Sequence, residues 1–149
     1  MVVVAIIGVA AALAAPSIRD LSRRQRENEA IVDVEGALRD ARNTARVNRR
    51  CVTVALAGNV ITATKSACTG FKRFGGSAPT MGTADGSKTT TIDDTIVVGA
   101  LSEPLTFHPY GGTTAVGNVT LTLSSAALGT SRALITVFPG VGTVRKESL

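Results

Sequence analysis

The sequence is poor in the side chains that build deep pockets and most active sites. Its 149 residues include no Trp, one Tyr and one His, and aromatic residues make up 3 % of the chain. Apolar surfaces built from Ala, Val, Ile and Leu pack helices and thin sheets but line few ligand pockets. The only histidine, His108, precedes Pro109 in a predicted turn, and no nucleophile or metalloprotease motif occurs. We therefore predict a non-enzymatic protein without a cofactor or a metal site.

Cysteine is equally scarce, with Cys51 and Cys68 as the only two. A structural zinc site needs about four ligands, which two cysteines and one histidine do not supply. In an oxidising compartment, two cysteines favour one disulfide. This bond would close a loop of about 16 residues and contribute roughly 3 kcal/mol to stability. Two free buried thiols are the alternative.

Charge is absent from the first 15 residues, MVVVAIIGVAAALAA. As a helix this run covers about 22 Å, less than the roughly 30 Å of a bilayer core. It has three interpretations: a secretory signal with a cleavage site near Ala14 but no positive start, a buried core helix, or a membrane helix whose first residues precede Met1. We favour the third, because it explains both the shortness of the run and its abrupt start.

The chain after Pro16 has the pattern of an amphipathic helix. Ile31, Val34, Leu38, Ala41 and Ala45 recur at steps of 3 and 4 and form one apolar stripe. The sequence predicts a single helix from Met1 to about Asn48, roughly 70 Å long and bent near Pro16. We predict three parts: residues 1–16 as a transmembrane or filament-core segment, 17–50 as its amphipathic continuation and 51–149 as a β-rich head.

The head begins with a predicted hairpin. Residues 51–56 and 60–64 are rich in β-branched side chains and flank a break at Ala57-Gly58-Asn59, so Cys51 and Cys68 lie near its open end. Residues 70–91 are rich in Gly, Ser, Thr and Lys and predict a long mobile loop. Further strands are predicted at 95–98, 105–107, 119–123 and 133–138. A small antiparallel sheet packed on the helix stripe gives an α+β fold.

The N-terminal run followed by Pro-Ser, MVVVAIIGVAAALAAPS, resembles the latter part of the type IV prepilin N-terminal segment. The leader, cleavage site and near-N-terminal glutamate of that family do not occur here, so Met1 aligns shortly after the start of the mature protein. The resemblance implies processing by a prepilin peptidase, N-terminal methylation and a membrane or filament-core helix. The residues expected in that core are Val3, Ile6, Ile7, Leu13 and Pro16.

A second resemblance lies in the C-terminal half. Residues 105–111, Leu-Thr-Phe-His-Pro-Tyr-Gly, are similar to the Phe-x-Pro-x-Gly signature of the GspH/FimT group of minor pilins and pseudopilins, and Gly142 to Arg145 are similar to its Gly-x-x-Arg ending. The resemblance implies a pilin fold in a subunit of a type IV pilus or a type II secretion pseudopilus. Before assembly with other pilins, such a subunit is held in the bacterial inner membrane by a single span, with its head in the periplasm.

DNA binding in natural transformation is the alternative function. Some members of the FimT group bind DNA through a Gly-Arg-x-Arg motif, in which Thr143 replaces the first arginine here. The candidate contact residues are basic side chains of the head: Arg132, Arg145, Lys146, Lys72 and Arg73. Without aromatic side chains to stack on bases, any such binding is expected to be electrostatic, weakly sequence-specific and salt-sensitive.

The positive charge of the chain is consistent with either role, a structural subunit or a DNA-binding subunit. There are 16 basic and 11 acidic residues, giving a net charge of +5. Such a surplus favours anionic partners but also simply promotes solubility. Arg39, Arg42, Arg46 and Arg49 form a second helical stripe beside the apolar one. This stripe is either a solvated flank that pairs with acidic residues of neighbouring subunits, or a phosphate-contacting surface. The acidic residues available for such pairs are Glu27, Glu29, Asp33 and Glu35.

Overall fold

In the residues that it describes, a computed structural model shows one long helix and a head of eight strands. It describes the backbone of residues 2–69 and 80–149 and the side chains of residues 19–68 and 81–149. The elements are α1 (Val2–Asn48), β1 (Cys51–Ala57), β2 (Val60–Thr69), β3 (Thr80–Thr91), β4 (Ile96–Val98), β5 (Leu105–Phe107), β6 (Val119–Ser125), β7 (Ser131–Val137) and β8 (Val144–Ser148). The predicted α+β fold, a long N-terminal helix packed on antiparallel sheet, is confirmed.

The helix packs on the head through the predicted stripe. Each of the five stripe residues, from Ile31 to Ala45, is at most 5 % exposed. The stripe is one-sided because its steps of 3 and 4 follow the 3.6-residue turn. The helix ends where Arg49 adopts a left-handed conformation, φ 52°, and the amide of Arg50 donates a hydrogen bond to the carbonyl of Ala45. The next residue, Cys51, begins the first strand.

The head contains two four-stranded antiparallel sheets rather than a single one. The first has the order β3-β2-β1-β5 and the second the order β4-β6-β7-β8. The helix contacts strands of both sheets, because each sheet turns one apolar face inward. Alternate residues of β6 and β7 are buried on that face, as the period-2 pattern of a strand requires. The sheets are linked at the β1–β2 turn, where the side-chain amide of Asn59 donates to the carbonyl of Ile96 at 2.7 Å.

The prediction of a loop over residues 70–91 is wrong for residues 80–91, and it stays a prediction for residues 70–79, which lie outside the described backbone. These residues form β3, an edge strand paired with β2 from Val60↔Thr91 to Thr69↔Thr80. The segment has no alternating apolar signal, because most side chains of β3 are exposed and the strand is held by backbone pairing to β2. The short edge strand β8 was not predicted for a related reason, since Val144 is its only buried residue.

The other predicted strands are confirmed within a few residues. β1 and β2 form the expected hairpin, with Gly58 at φ 58° in its turn. β4, β5, β6 and β7 coincide with the segments predicted at 95–98, 105–107, 119–123 and 133–138. The predicted three-part division at residues 16 and 50 stays a prediction, as does the bend near Pro16, whose side chain is not among those described.

Candidate functional site

The junction between helix and head contains a buried carboxylate. Glu27 is 3 % exposed and continues the apolar stripe one turn before Ile31. The hydroxyl of Ser125, at the end of β6, donates a hydrogen bond to Glu27 Oε1 at 2.7 Å. Arg132 Nε lies 3.2 Å from Glu27 Oε2, and Arg23 Nε lies 3.8 Å from Glu27 Oε1. The Ser125 hydroxyl thus forms a hydrogen bond with Glu27, whereas Arg132 and Arg23 are ion-pair partners whose buried Nε atoms form no hydrogen bond within the described residues.

A β-bulge places Arg132 in this cluster. Between the paired positions Leu123↔Ala133 and Ser124↔Ser131, β7 has one residue more than β6, and that residue is Arg132. A bulge changes the direction of a side chain relative to the regular alternation of its strand. Arg132, predicted as a DNA contact, therefore has its Nε atom against Glu27. The expectation that Glu27 is available to neighbouring subunits is wrong, because this side chain is buried and has its partners within the chain. A carboxylate in phase with an apolar stripe is the sequence signal that indicates such a buried partner.

The basic stripe at the C-terminal end of the helix is only partly neutralised. Arg39 pairs with Glu35 at 2.7 Å, and Arg50 pairs with Asp85 of β3 at 3.8 Å. Arg42 donates from Nε to the carbonyl of Gly111 at 3.3 Å. Arg46 and Arg49 are exposed and form no ion pair with any side chain among residues 19–68 and 81–149. The helix dipole further favours cations at this end of α1.

The two C-terminal sequence signatures meet beside this stripe. Phe107 is fully buried, and the chain after it turns back through a hydrogen bond from the amide of Gly111 to the carbonyl of His108 at 2.8 Å. The turn at residues 138–142 closes through the amide of Gly142 and the carbonyl of Phe138, also at 2.8 Å. Burial lowers the pKa of His108 below its ordinary value, which favours neutral imidazole in this turn.

Gly142 is the position where these two turns touch, and Gly142→Ala should destabilise the protein by about 2 kcal/mol or more. Its φ is +61°, and a Cβ there would overlap the carbonyl oxygen of Gly111. Urea denaturation of the full chain would measure the loss. Gly140→Ala is the matched control, because a Cβ at Gly140 has no neighbour within 4 Å and should change stability by less than about 0.5 kcal/mol. Equal effects of both substitutions would contradict a specific contact at Gly142.

The predicted disulfide between Cys51 and Cys68 is confirmed. Their Cα atoms are 5.6 Å apart, and the bond joins the first residue of β1 to the penultimate residue of β2. It therefore closes the open end of the hairpin at the point where the chain leaves the helix. Cys51 is fully buried and Cys68 is half-buried, so the bond lies at the edge of the core.

The remaining residues proposed for DNA contact lie apart from the Glu27 cluster or outside the described residues. Arg145 and Lys146 are exposed on the edge strand β8, and Arg145 pairs with Glu147 at 3.5 Å. Lys72 and Arg73 are outside the residues that the structure describes. The side chains of the predicted core residues, Val3, Ile6, Ile7, Leu13 and Pro16, are also outside it. Among the described residues, no helix is long and apolar enough to cross a membrane.

Comparison with solved structures identifies a known fold. The chain is similar to the type IV minor pilin FimU of Pseudomonas aeruginosa in two crystal forms, with 16 % sequence identity in each. The TM-scores are 0.56 and 0.53; the matches cover 83 % of this chain and 90 % and 91 % of the two FimU chains. No protein-family model and no curated protein matches the sequence. The chain therefore has a type IV pilin-like fold.

Proposed function

We propose that this chain is a structural subunit, a minor pilin or pseudopilin, of a type IV pilus or a type II secretion pseudopilus. The observation that carries the proposal is the asymmetry of α1. One face between Glu27 and Ala45 is buried against the head, while the opposite face is exposed and includes Val32 and Val47. The same helix continues toward the N-terminus into the uncharged run. A helix built in this way can pack against the helices of neighbouring subunits while the head stays folded.

The proposed mechanism is assembly rather than catalysis. The uncharged run is stored in the inner membrane, and its transfer into a bundle of similar helices replaces lipid contacts with helix contacts. The head would set the lateral contacts and the outer surface of the filament. Prepilin peptidase processing and methylation belong to this proposal, as family features that the resemblance implies.

The proposal is tested by placing a charge in the run. Ile7→Asp in the full chain should abolish retention in the membrane fraction and incorporation into filaments sheared from cells, because a carboxylate is costly in lipid. Epitope labelling of the sheared filaments measures incorporation. Formation of the Cys51–Cys68 disulfide in the variant serves as the control for a folded head. Unchanged fractionation and incorporation of Ile7→Asp would refute the proposal.

DNA binding during uptake is the second candidate, supported by the net charge and by the exposed Arg46 and Arg49, which form no ion pair with any side chain that the structure describes. It has less support than assembly, because Arg132 is paired with Glu27 and Arg145 with Glu147. Band shifts at low salt would separate the two proposals. A shift that disappears in an Arg145→Ala, Lys146→Ala double variant supports DNA binding at the C-terminal strand, and no shift at low salt removes it.

A further inference from the structure

The helix is strongly basic directly after the uncharged run and Pro16. Residues 17–26 contain four arginines and one aspartate, so this segment has a net charge of +3. Three of the arginines are exposed and form no ion pair with any side chain that the structure describes, namely Arg19, Arg24 and Arg26. Their charges are therefore available to an anion from outside the chain.

The acidic residues closest to these arginines have contacts of their own. Asp20 pairs with Arg23 at 3.5 Å. Asp93 accepts a hydrogen bond from the amide of Thr95 at 2.9 Å. Hydrogen bonds from Thr95 lower the pKa of Asp93, and the nearby charge of Arg26 adds to this effect. Arg26 thus has an acidic neighbour but no direct ion pair, and its guanidinium N–H groups can still bind an anion.

Three arginines of this segment border one hollow at the edge of the head. The hollow has a volume of about 240 Å³ and is lined by Arg19, Ser22, Arg23, Arg26 and Thr95. The arginines are separated by steps of 4 and 3, which place them on one face of the helix. None of the described residues that line the hollow is acidic. Guanidinium groups that converge in this way suit the oxygens of a phosphate, which they can bind in pairs.

The turn between β6 and β7 lies at the same end of the head. The amide of Leu128 donates a hydrogen bond to the Ser125 hydroxyl at 3.4 Å, and that hydroxyl donates to Glu27. The opposite end of these strands adjoins the turn in which Gly142 lies against Arg42. The seven residues of β6 cover about 23 Å, as do the 15 helical residues from Glu27 to Arg42. The turn after Ser125 therefore projects past Glu27 toward the uncharged run.

Apolar side chains are exposed among these arginines. Leu128 is 51 % exposed at the turn, and Leu21 is 59 % exposed on the helix. Exposed apolar residues bordered by cations are typical of surfaces that bind at the interface of an anionic membrane. We call these five residues the proximal surface: Arg19, Leu21, Arg24, Arg26 and Leu128.

The distance from the uncharged run places the proximal surface near lipid headgroups. Along the helix axis, Arg19 lies about 6 Å and Arg24 about 14 Å beyond Ala15, the last residue of the run. The headgroup region on each side of a bilayer core is about 5–8 Å thick. Long side chains of a helix lean toward its N-terminus and can extend their charged ends to the interface. The arginines can therefore reach the headgroups when the run lies in lipid.

We infer that the proximal surface binds the phosphates of anionic phospholipids while the subunit is stored in the membrane. The inference rests on the proposed function and adds a lipid contact of the head to the anchoring by the run. Arg19 and Arg26 would bind phosphate oxygens at the hollow, and the two leucines would enter the interface. Lipid is a better partner than a nucleic acid, because a nucleic acid backbone has no apolar layer in which leucine side chains can be buried.

Tryptophan fluorescence tests the inference in the full chain, which has no tryptophan of its own. Leu128→Trp places one fluorophore on the proximal surface, and the protein is inserted into vesicles of phosphatidylcholine with or without phosphatidylglycerol. We expect emission at shorter wavelength and quenching by brominated lipid tails only with phosphatidylglycerol, because the arginines require an anionic surface. Val141→Trp is the matched control and should show neither change. Val141 is 59 % exposed in the turn at Arg42, about 27 Å along the helix from Arg24.

Removing the three charges should release the turn from the lipid. In the Leu128→Trp chain, the triple substitution Arg19→Gln, Arg24→Gln, Arg26→Gln should abolish both the shift and the quenching. Each cation near an anionic membrane contributes roughly a factor of five to binding, so the equilibrium constant for the lipid-bound position should fall roughly a hundredfold. A triple variant that keeps the shift would overturn the role of the arginines.

A second triple variant controls for net charge. Arg39→Gln, Arg46→Gln, Arg49→Gln removes the same charge from the far end of the helix and should keep the shift of the Leu128→Trp chain. Loss of the shift in this variant too would mean that only net charge matters, and it would overturn the site. Formation of the Cys51–Cys68 disulfide shows that the head of each variant is folded.

Flotation with the vesicles separates the inference from the proposed function. A chain that floats with both kinds of vesicle and has the same emission in each would overturn the inference and leave the proposed function intact. A chain that floats with neither would refute both. Reversal of the shift by inorganic phosphate, but not by sodium chloride of equal ionic strength, would indicate a site for free phosphate and overturn the lipid partner. A shift caused by DNA without phosphatidylglycerol would assign the surface to nucleic acid instead.

Discussion

Replacing Glu27 with alanine is expected to lower the free energy of unfolding by about 3 kcal/mol. The substitution removes the acceptor of the buried Ser125 hydroxyl and the counter-ion of Arg132. The Ser125 hydroxyl and Arg132 then lose this partner at a junction where the native side chain, Glu27, is almost completely buried. The partial exposure of Arg132 and Arg23 limits the loss, because both cations can turn toward water. Urea denaturation of the full chain, followed by circular dichroism, would measure it.

Two control variants separate the causes of this loss. Glu29 is an exposed carboxylate two residues after Glu27 on the same helix. Glu29→Ala should therefore alter the free energy of unfolding by less than about 0.5 kcal/mol. Glu27→Gln keeps an oxygen for the Ser125 hydroxyl but removes the charge, so an intermediate loss is expected. If Glu27→Ala and Glu29→Ala had the same small effect, the buried cluster would have no energetic role.

Removing the disulfide is expected to cost a similar amount, about 3 kcal/mol in the chain-entropy account. Cys51 and Cys68 are 17 residues apart in the sequence, and without the bond the unfolded chain gains the freedom of that loop. The double substitution Cys51→Ala, Cys68→Ala avoids placing a hydroxyl in the fully buried position of Cys51. Denaturation midpoints of this variant and of the oxidised protein would give the difference.

Reduction of the unmodified protein provides the matched comparison. A thiol reductant should lower the stability of the unmodified protein toward that of the double variant and leave the double variant unchanged. A double variant as stable as the oxidised protein would show that the bond does not constrain the unfolded state.

The buried cluster has a role beyond its net energy. A buried ion pair is often no more stabilising than apolar side chains of similar size. Glu27 contacts Ser125 and Arg132 of the second sheet at the same time. It therefore fixes the rotation and the axial position of α1 relative to the second sheet. The exposed face of α1 depends on that setting, because rotating the helix would also rotate its exposed side chains.

The sequence by itself determined the elements whose signals are local. A stripe at steps of 3 and 4 specified the helix and its buried face, because helical periodicity is independent of the rest of the chain. β-branched runs on either side of Gly58-Asn59 specified the hairpin, and the position of Cys51 and Cys68 near its open end favoured a disulfide over two free thiols. The pilin-like resemblance of the N-terminal run and the C-terminal signatures agreed with the fold that the structure shows.

Only the tertiary structure decided the features that depend on contacts distant in sequence. β3 is a strand because β2 offers a row of backbone partners, and its own Gly- and Thr-rich sequence has no apolar alternation. Arg132 reaches Glu27 because a bulge inserts one residue opposite β6, and no local pattern specifies a bulge. Gly142 requires its lack of a side chain because Gly111, 31 residues earlier, passes against it. Pairing, bulges and close approaches are set by which segments meet, and that choice is made by the whole chain.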